Sequence, residues 1–141
     1  MIARRYGYEL SDEKGRIDLE ATWRFLRTAY WSPNVPREVV ERAIAGSLCL
    51  GLYDAGGEQA GFARAVTDEA TFAWIADVFV LEPHRGRGLG VWLVETLLAH
   101  TRLEGLRLVV LATDDAHALY RRFGFEPIDG DRFMSFRRRP Q

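Results

Sequence analysis

The chain has 141 residues, 48% of them hydrophobic and 28% charged, with a formal net charge of −1. That is enough for one globular domain with a core and too little for a second. The near-neutral balance argues against nucleic acid or an anionic membrane as partner, and the single cysteine, Cys49, excludes an intrachain disulfide framework.

The start, MIARRYGYEL, has no apolar leader, and no segment reaches transmembrane length, so a soluble, cytoplasmic protein is expected. YGYEL (6–10) alternates as a short strand. Asp18 precedes LEATWRFLRTA (19–29), which predicts a capped helix with Ile17 as a hydrophobic staple. Leu19, Trp23, Leu26 and Tyr30 share its spacing. The prolines of WSPNVP (31–36) break the chain, and Pro36 opens a second helix that Gly46 ends. SLCLGLYD (47–54) and EQAGFARAVTD (58–68) predict paired strands around the turn AGG, with Cys49 as a buried small hydrophobe. TFAWIADVFVL (71–81) predicts a central strand. A helix from about 88 to 101, a strand over 106–113 and a helix over 114–123 follow, and FEPI and RFMSF read as closing strands. The basic run Arg137, Arg138, Arg139 reads as a solvated end. The order is that of a mixed α/β domain around one sheet.

EPHRGRGLG (82–90) sets three glycines where a helix is about to start. Backbone N–H groups left free at a helix start can converge on one anion, and glycine lets a ligand approach them closely. Arg85 and Arg87 add positive charge. The spacing is neither that of a P-loop nor that of the dinucleotide fingerprint, whose third glycine falls one place later. From spacing alone a phosphate cradle and an unliganded turn both stand.

VFVLEPHRGRGLGVWLVETLL resembles the acetyl-CoA-binding signature of the GNAT N-acetyltransferase superfamily, (Arg/Gln)-x-x-Gly-x-(Gly/Ala) between a strand and a helix, met here by Arg85, Gly88 and Gly90. Farther on, ATDDAHALYRRFGFEPI resembles the family's A-x-x-L-Y-x-x-x-G-F segment, met by Ala116, Leu119, Tyr120, Gly124 and Phe125. The resemblance implies one GNAT-like domain over 1–141: a mixed, mostly antiparallel sheet with splayed central strands and about four flanking helices. It implies an acetyl group carried on coenzyme A and passed to a primary amine of a small molecule or peptide, with no metal. Pantetheine would pair with the backbone of Val78, Phe79 and Val80. The pyrophosphate would lie on Arg85, Gly86, Arg87, Gly88, Leu89, Gly90 and Val91. Tyr120 would protonate the leaving thiolate. Many members carry asparagine seven residues before that tyrosine, and here the place is Thr113. The resemblance also admits a homodimer with the C-terminal strands in part of its interface.

Asp77, a carboxylate inside the apolar WIADVFV, needs a reason to be there. It reads as a general base, direct or through water, as an anchor for the substrate ammonium, or as one half of a structural ion pair. Glu82 and His84 read as solvated flanks of the loop, and His117 as a partly buried helical histidine. The acceptor site is expected in the aromatic N-terminal half, with Tyr30, Trp31 and Trp74 as its wall, while Trp23 and Trp92 are core. A non-catalytic acyl-CoA-binding sensor is the alternative function, and Tyr120 argues against it. A nucleotide-binding module would need the phosphate-loop spacings that are missing.

Overall fold

The computed structural model describes residues 2–138, so Arg139 of the basic run lies outside the described residues. Its first element corrects the reading of 6–10 as a strand. Tyr6 and Gly7 both take positive φ, 52° and 82°. They form the two-residue turn between β1 (Ala3–Arg5) and β2 (Tyr8–Ser11), whose register pairs Arg5 with Tyr8. Positive φ at both central positions is what a twisted hairpin demands.

Asp18 caps α1 (Leu19–Leu26) as expected, accepting from the Ala21 N–H at 3.0 Å. The helix stops short of residue 29 because other donors take its last carbonyls. The Ser32 hydroxyl donates to Leu26 O at 2.6 Å and the Asn34 N–H to Arg27 O at 2.8 Å. Tyr30 and Trp31 therefore stand on a loop. Pro36 precedes α2 (Arg37–Ala45), which Gly46 ends.

β3 (Leu48–Tyr53), β4 (Gln59–Thr67) and β5 (Phe72–Val80) continue the antiparallel sheet. The helix α3 (Leu89–Leu98) crosses over to β6 (Leu108–Val110), which joins β5 in parallel, and α4 (His117–Arg121) follows. The six strands lie in sequence order, β1 to β6, in one mixed sheet. Strand alternation splits the core into two layers. Leu48, Leu50 and Leu52 face Leu89, Trp92, Leu93 and Leu97 of α3, while Cys49 joins Phe62 and Phe79 under Leu26 of α1 and Val40 and Ile44 of α2. No helix among the described residues is long and apolar enough to cross a membrane.

The closing strands are a second correction, since FEPI and RFMSF form no strand. β6 offers an edge of only three residues. Pro127 has no N–H for a ladder, and Gly130 turns the chain at φ 80°.

The core carries a pH signature. Burial pushes the Cys49 thiol from 9.0 up to about 11 and the Tyr53 phenol from 10.0 up to about 12. The folded protein therefore holds protons that the unfolded chain has already lost. Stability is intact below the unfolded thiol value of 9.0 and falls as pH rises from there towards both folded values. Each full shift is worth about 3 kcal/mol. Urea unfolding between pH 8 and pH 11 should show this decline, and Cys49→Ala should remove its early part. A flat profile in the wild-type protein would contradict the assignment.

Candidate active site

β5 and β6 pair only at Phe72↔Leu108, Ala73↔Val109 and Trp74↔Val110, and then diverge. A bulge in β5 supplies a reason. The register on β4 jumps from Arg64↔Ala76 to Phe62↔Phe79, leaving Asp77 and Val78 without register partners. Asp77 sits at φ 55°, a left-handed conformation that a short polar residue tolerates at about 1 kcal/mol. A bulge bends its strand. Between the diverging strands lies a cleft of about 600 Å³, and the loop after α1 forms another wall.

Of the residues expected from sequence, this cleft brings together Tyr30, Trp31, Trp74, Asp77, Val78 and Tyr120. Phe79 and Val80 do not line it. The Phe79 ring is buried and stacks on Phe25 at 4.1 Å, so only its backbone is open to a cofactor role. The glycine loop lies apart from the cleft, beyond the end of β5.

Asp77 is held from two sides. The Trp31 indole N–H donates to Oδ1 and Arg64 Nε to Oδ2, each at 2.8 Å. Arg64 Nη1 also donates to the Ser47 hydroxyl at 3.1 Å. The Arg64 and Asp77 side chains are 17% and 13% exposed, so water screens their pairing only in part. Arg64 lines the cleft and was missed in the sequence. Its signal was there: a lone charge in a strand of small and apolar residues, like Asp77 on the partner strand. Tyr30 spans the cleft, its hydroxyl accepting from the Asp114 N–H at 3.0 Å and donating to Asp115 Oδ1 at 3.3 Å.

Tyr120 is buried in α4, and its hydroxyl makes no hydrogen bond among the described residues. Burial, then the neighbouring Tyr30 and Asp115, raises its pKa above the ordinary phenol value. It is a protonated donor at neutral pH, edge-on to Phe125. Thr113 Oγ1 accepts from the Ala116 N–H at 3.0 Å, so this hydroxyl shapes the turn into α4. His117 is exposed and lines a neighbouring groove instead of the cleft, unlike the partly buried position expected for it.

At the glycine loop, Gly86 and Gly88 take φ 80° and 76°. Gly88 is the cap position of α3, with no side-chain cap and no acidic residue in the first turn. A Cβ added at Gly86, Gly88 or Gly90 would meet nothing within 4 Å. Open space over an uncapped helix start, where N–H groups lack intrahelical acceptors, fits an anion. Arg85 Nε is tied to Val80 O at 2.8 Å, and Arg87 Nη1 reaches the Tyr8 hydroxyl at 3.3 Å. That hydroxyl also contacts His84 Nδ1 at 2.7 Å, so His84 braces the loop against β2.

The chain is similar to known proteins. A model of the acetyltransferase (GNAT) family matches residues 16–125. A solved structure from Xanthomonas campestris pv. campestris, described as an acetyltransferase of the GNAT family, is 41% identical, with a TM-score of 0.83 over 90% of this chain and 93% of that one. A Gibberella zeae protein named as an acetyltransferase is 29% identical over 86% of this chain and 81% of its own. An L-methionine sulfoximine/L-methionine sulfone acetyltransferase of Pseudomonas aeruginosa is 36% identical, over 60% of this chain and 54% of its own.

Proposed function

From the premise that the chain belongs to the acetyltransferase (GNAT) family, we propose that it transfers the acetyl group of acetyl-CoA to a primary amine of a small molecule by direct attack. The observation that carries this reading is the protonated Tyr120 hydroxyl, without a hydrogen-bond partner among the described residues, on a cleft that also holds Asp77. The acceptors named for the Pseudomonas aeruginosa relative are small molecules with one primary amine, which supports that class over a peptide.

Bound acetyl-CoA supplies an activated acetyl thioester. The first turn of α3, Gly88 to Val91, would hold its pyrophosphate through backbone N–H groups, helped by Gly86, Arg85 and Arg87. The backbone of Val78, Phe79 and Val80 would pair with the pantetheine arm, since β6 has left that edge of β5. The Val78 N–H, in the bulge where β5 has no register partner, would donate to the acyl carbonyl oxygen of a bound thioester and stabilise the charge that attack builds there. Asp77 receives the acceptor's amino group and draws its proton, directly or through water. Tyr120 Oη holds the proton that a departing thiolate needs. Much of the acceleration comes from holding amine and acyl group together.

Thiol release from acetyl-CoA across a panel of amines tests this reading, alongside calorimetric titration of CoA. Wild-type protein should bind CoA and release thiol only when a suitable amine is present. Gly88→Val forces a β-branched residue to positive φ and sets a side chain over the cradle. It should weaken CoA at least tenfold, on the order of 1.4 kcal/mol. Tight CoA binding without turnover of any amine would leave the sensor reading in its place.

A further inference from the structure

We propose that the acceptor carries a carboxylate one carbon from its amine, as an α-amino acid does, and that Arg64 is its anchor. The inference rests on the N-acetyltransferase reading above and names the substrate class of that same cleft.

Arg64 is an expensive residue to place there. It rises from β4, mostly buried, and lines the cleft from the sheet side. A guanidinium has five N–H donors in a fixed planar fork and cannot lose its charge. Two edges of that fork are accounted for: Nε donates to Asp77 and Nη1 to Ser47. Nη2 has no acceptor among the described residues. A partly desolvated donor of this kind gains most from a charged acceptor, and the planar fork suits a carboxylate. Arg137 adds a second guanidinium to the cleft wall.

The pairing with Asp77 gives the anchor its geometry. Arg64 Nε and Asp77 Oδ2 lie 2.8 Å apart, so the cleft presents a positive and a negative group side by side. The amine and carboxylate of an α-amino acid are likewise neighbours, separated by a single carbon. Laid head to tail on the Arg64–Asp77 pair, such a head group meets the opposite charge at both ends. The carboxylate takes the open Nη2 of Arg64, and the amine faces the Asp77 carboxylate expected to receive its proton. A plain alkylamine satisfies Asp77 but sets its cation beside Arg64 with nothing to offset it. The substituent then falls among Trp31, Trp74, Val35 and Val39, a wall that favours an apolar or aromatic side chain.

The test measures kcat/KM for L-methionine, L-leucine and L-phenylalanine, each against its carboxamide and its decarboxylated amine. In the wild-type protein the best amino acid should exceed its own amide and amine by about 100-fold or more, as expected when a site built for a polar group meets an analogue lacking it. Arg64→Gln should bring that ratio to within about tenfold, and Arg64→Lys should retain part of it, since the charge survives without the fork. Because the ratio is taken within one variant, a lower fraction of folded protein cancels. Simple amines or amides acetylated as well as the acids, or a ratio unchanged in Arg64→Gln, would overturn the carboxylate anchor and leave the acetyltransferase reading standing. CoA binding with no turnover of any amine would overturn both.

Discussion

Tyr120→Phe should lower kcat by at least about 100-fold, the scale of losing one positioned acid, with CoA affinity little changed. The substitution removes a single oxygen from a buried ring and leaves the packing against Phe125 intact. That oxygen makes no hydrogen bond among the described residues, so stability should stay within about 1 kcal/mol of wild type. A rate effect without a stability effect is the mark of a group reserved for the reaction. The pH profile supplies a second readout. Burial raises the Tyr120 pKa, so its proton is retained at neutral pH and lost only above the ordinary phenol value of about 10. Wild-type kcat should therefore show an alkaline decline beyond that point, and Tyr120→Phe should lack it. Undiminished turnover in Tyr120→Phe would hand the role to solvent and reduce Tyr120 to a wall of the cleft.

Tyr120 was legible in the sequence because the segment around it is contiguous: A-x-x-L-Y-x-x-x-G-F can be seen without knowing the fold. The same holds for the glycine loop, where strand, turn and helix start follow one another along the chain. Long-range geometry was less legible. Asp77 announced itself as a charge in an apolar strand, but its partners lie on β4 and on the loop after α1. Pairing it with Arg64 requires the β4–β5 register, and a bulge sits within that register. Tyr30 fits a helical stripe by spacing, yet it leaves the helix because side chains and amides of the following loop satisfy the helix's last carbonyls. At the C-terminus, apolar residues in RFMSF mimic a strand, but a pattern forms no ladder without an edge, and β6 is short and followed by Pro127 and Gly130. Local chemistry was readable where it is written in consecutive residues, and hidden where the sheet assembles it.

Asp77 is where the two kinds of information meet, and its replacement should be the most damaging to the fold. Asp77→Ala leaves Arg64 mostly buried and unpaired and puts a residue with no local hydrogen bond at φ 55°. Breaking a buried pair from one side costs about 3–5 kcal/mol; the partial exposure of this one points to the lower end. Asp77→Asn is milder, about 1–2 kcal/mol, because asparagine tolerates the left-handed conformation and still offers an oxygen to Trp31 or Arg64. Activity should separate from stability at this point. Each carboxylate oxygen accepts one protein donor and retains a second lone pair, to which the amine of the proposed acceptor would donate. Asparagine cannot take a proton there, so kcat/KM should fall about 100-fold or more. Adding Arg64→Gln to Asp77→Asn removes both charges and should return stability towards wild type, since neither ion is left alone. If Asp77 receives the proton, that double variant stays inactive although it folds well. Recovery of activity together with stability would make the carboxylate a structural partner of Arg64 and leave the amine's proton to water.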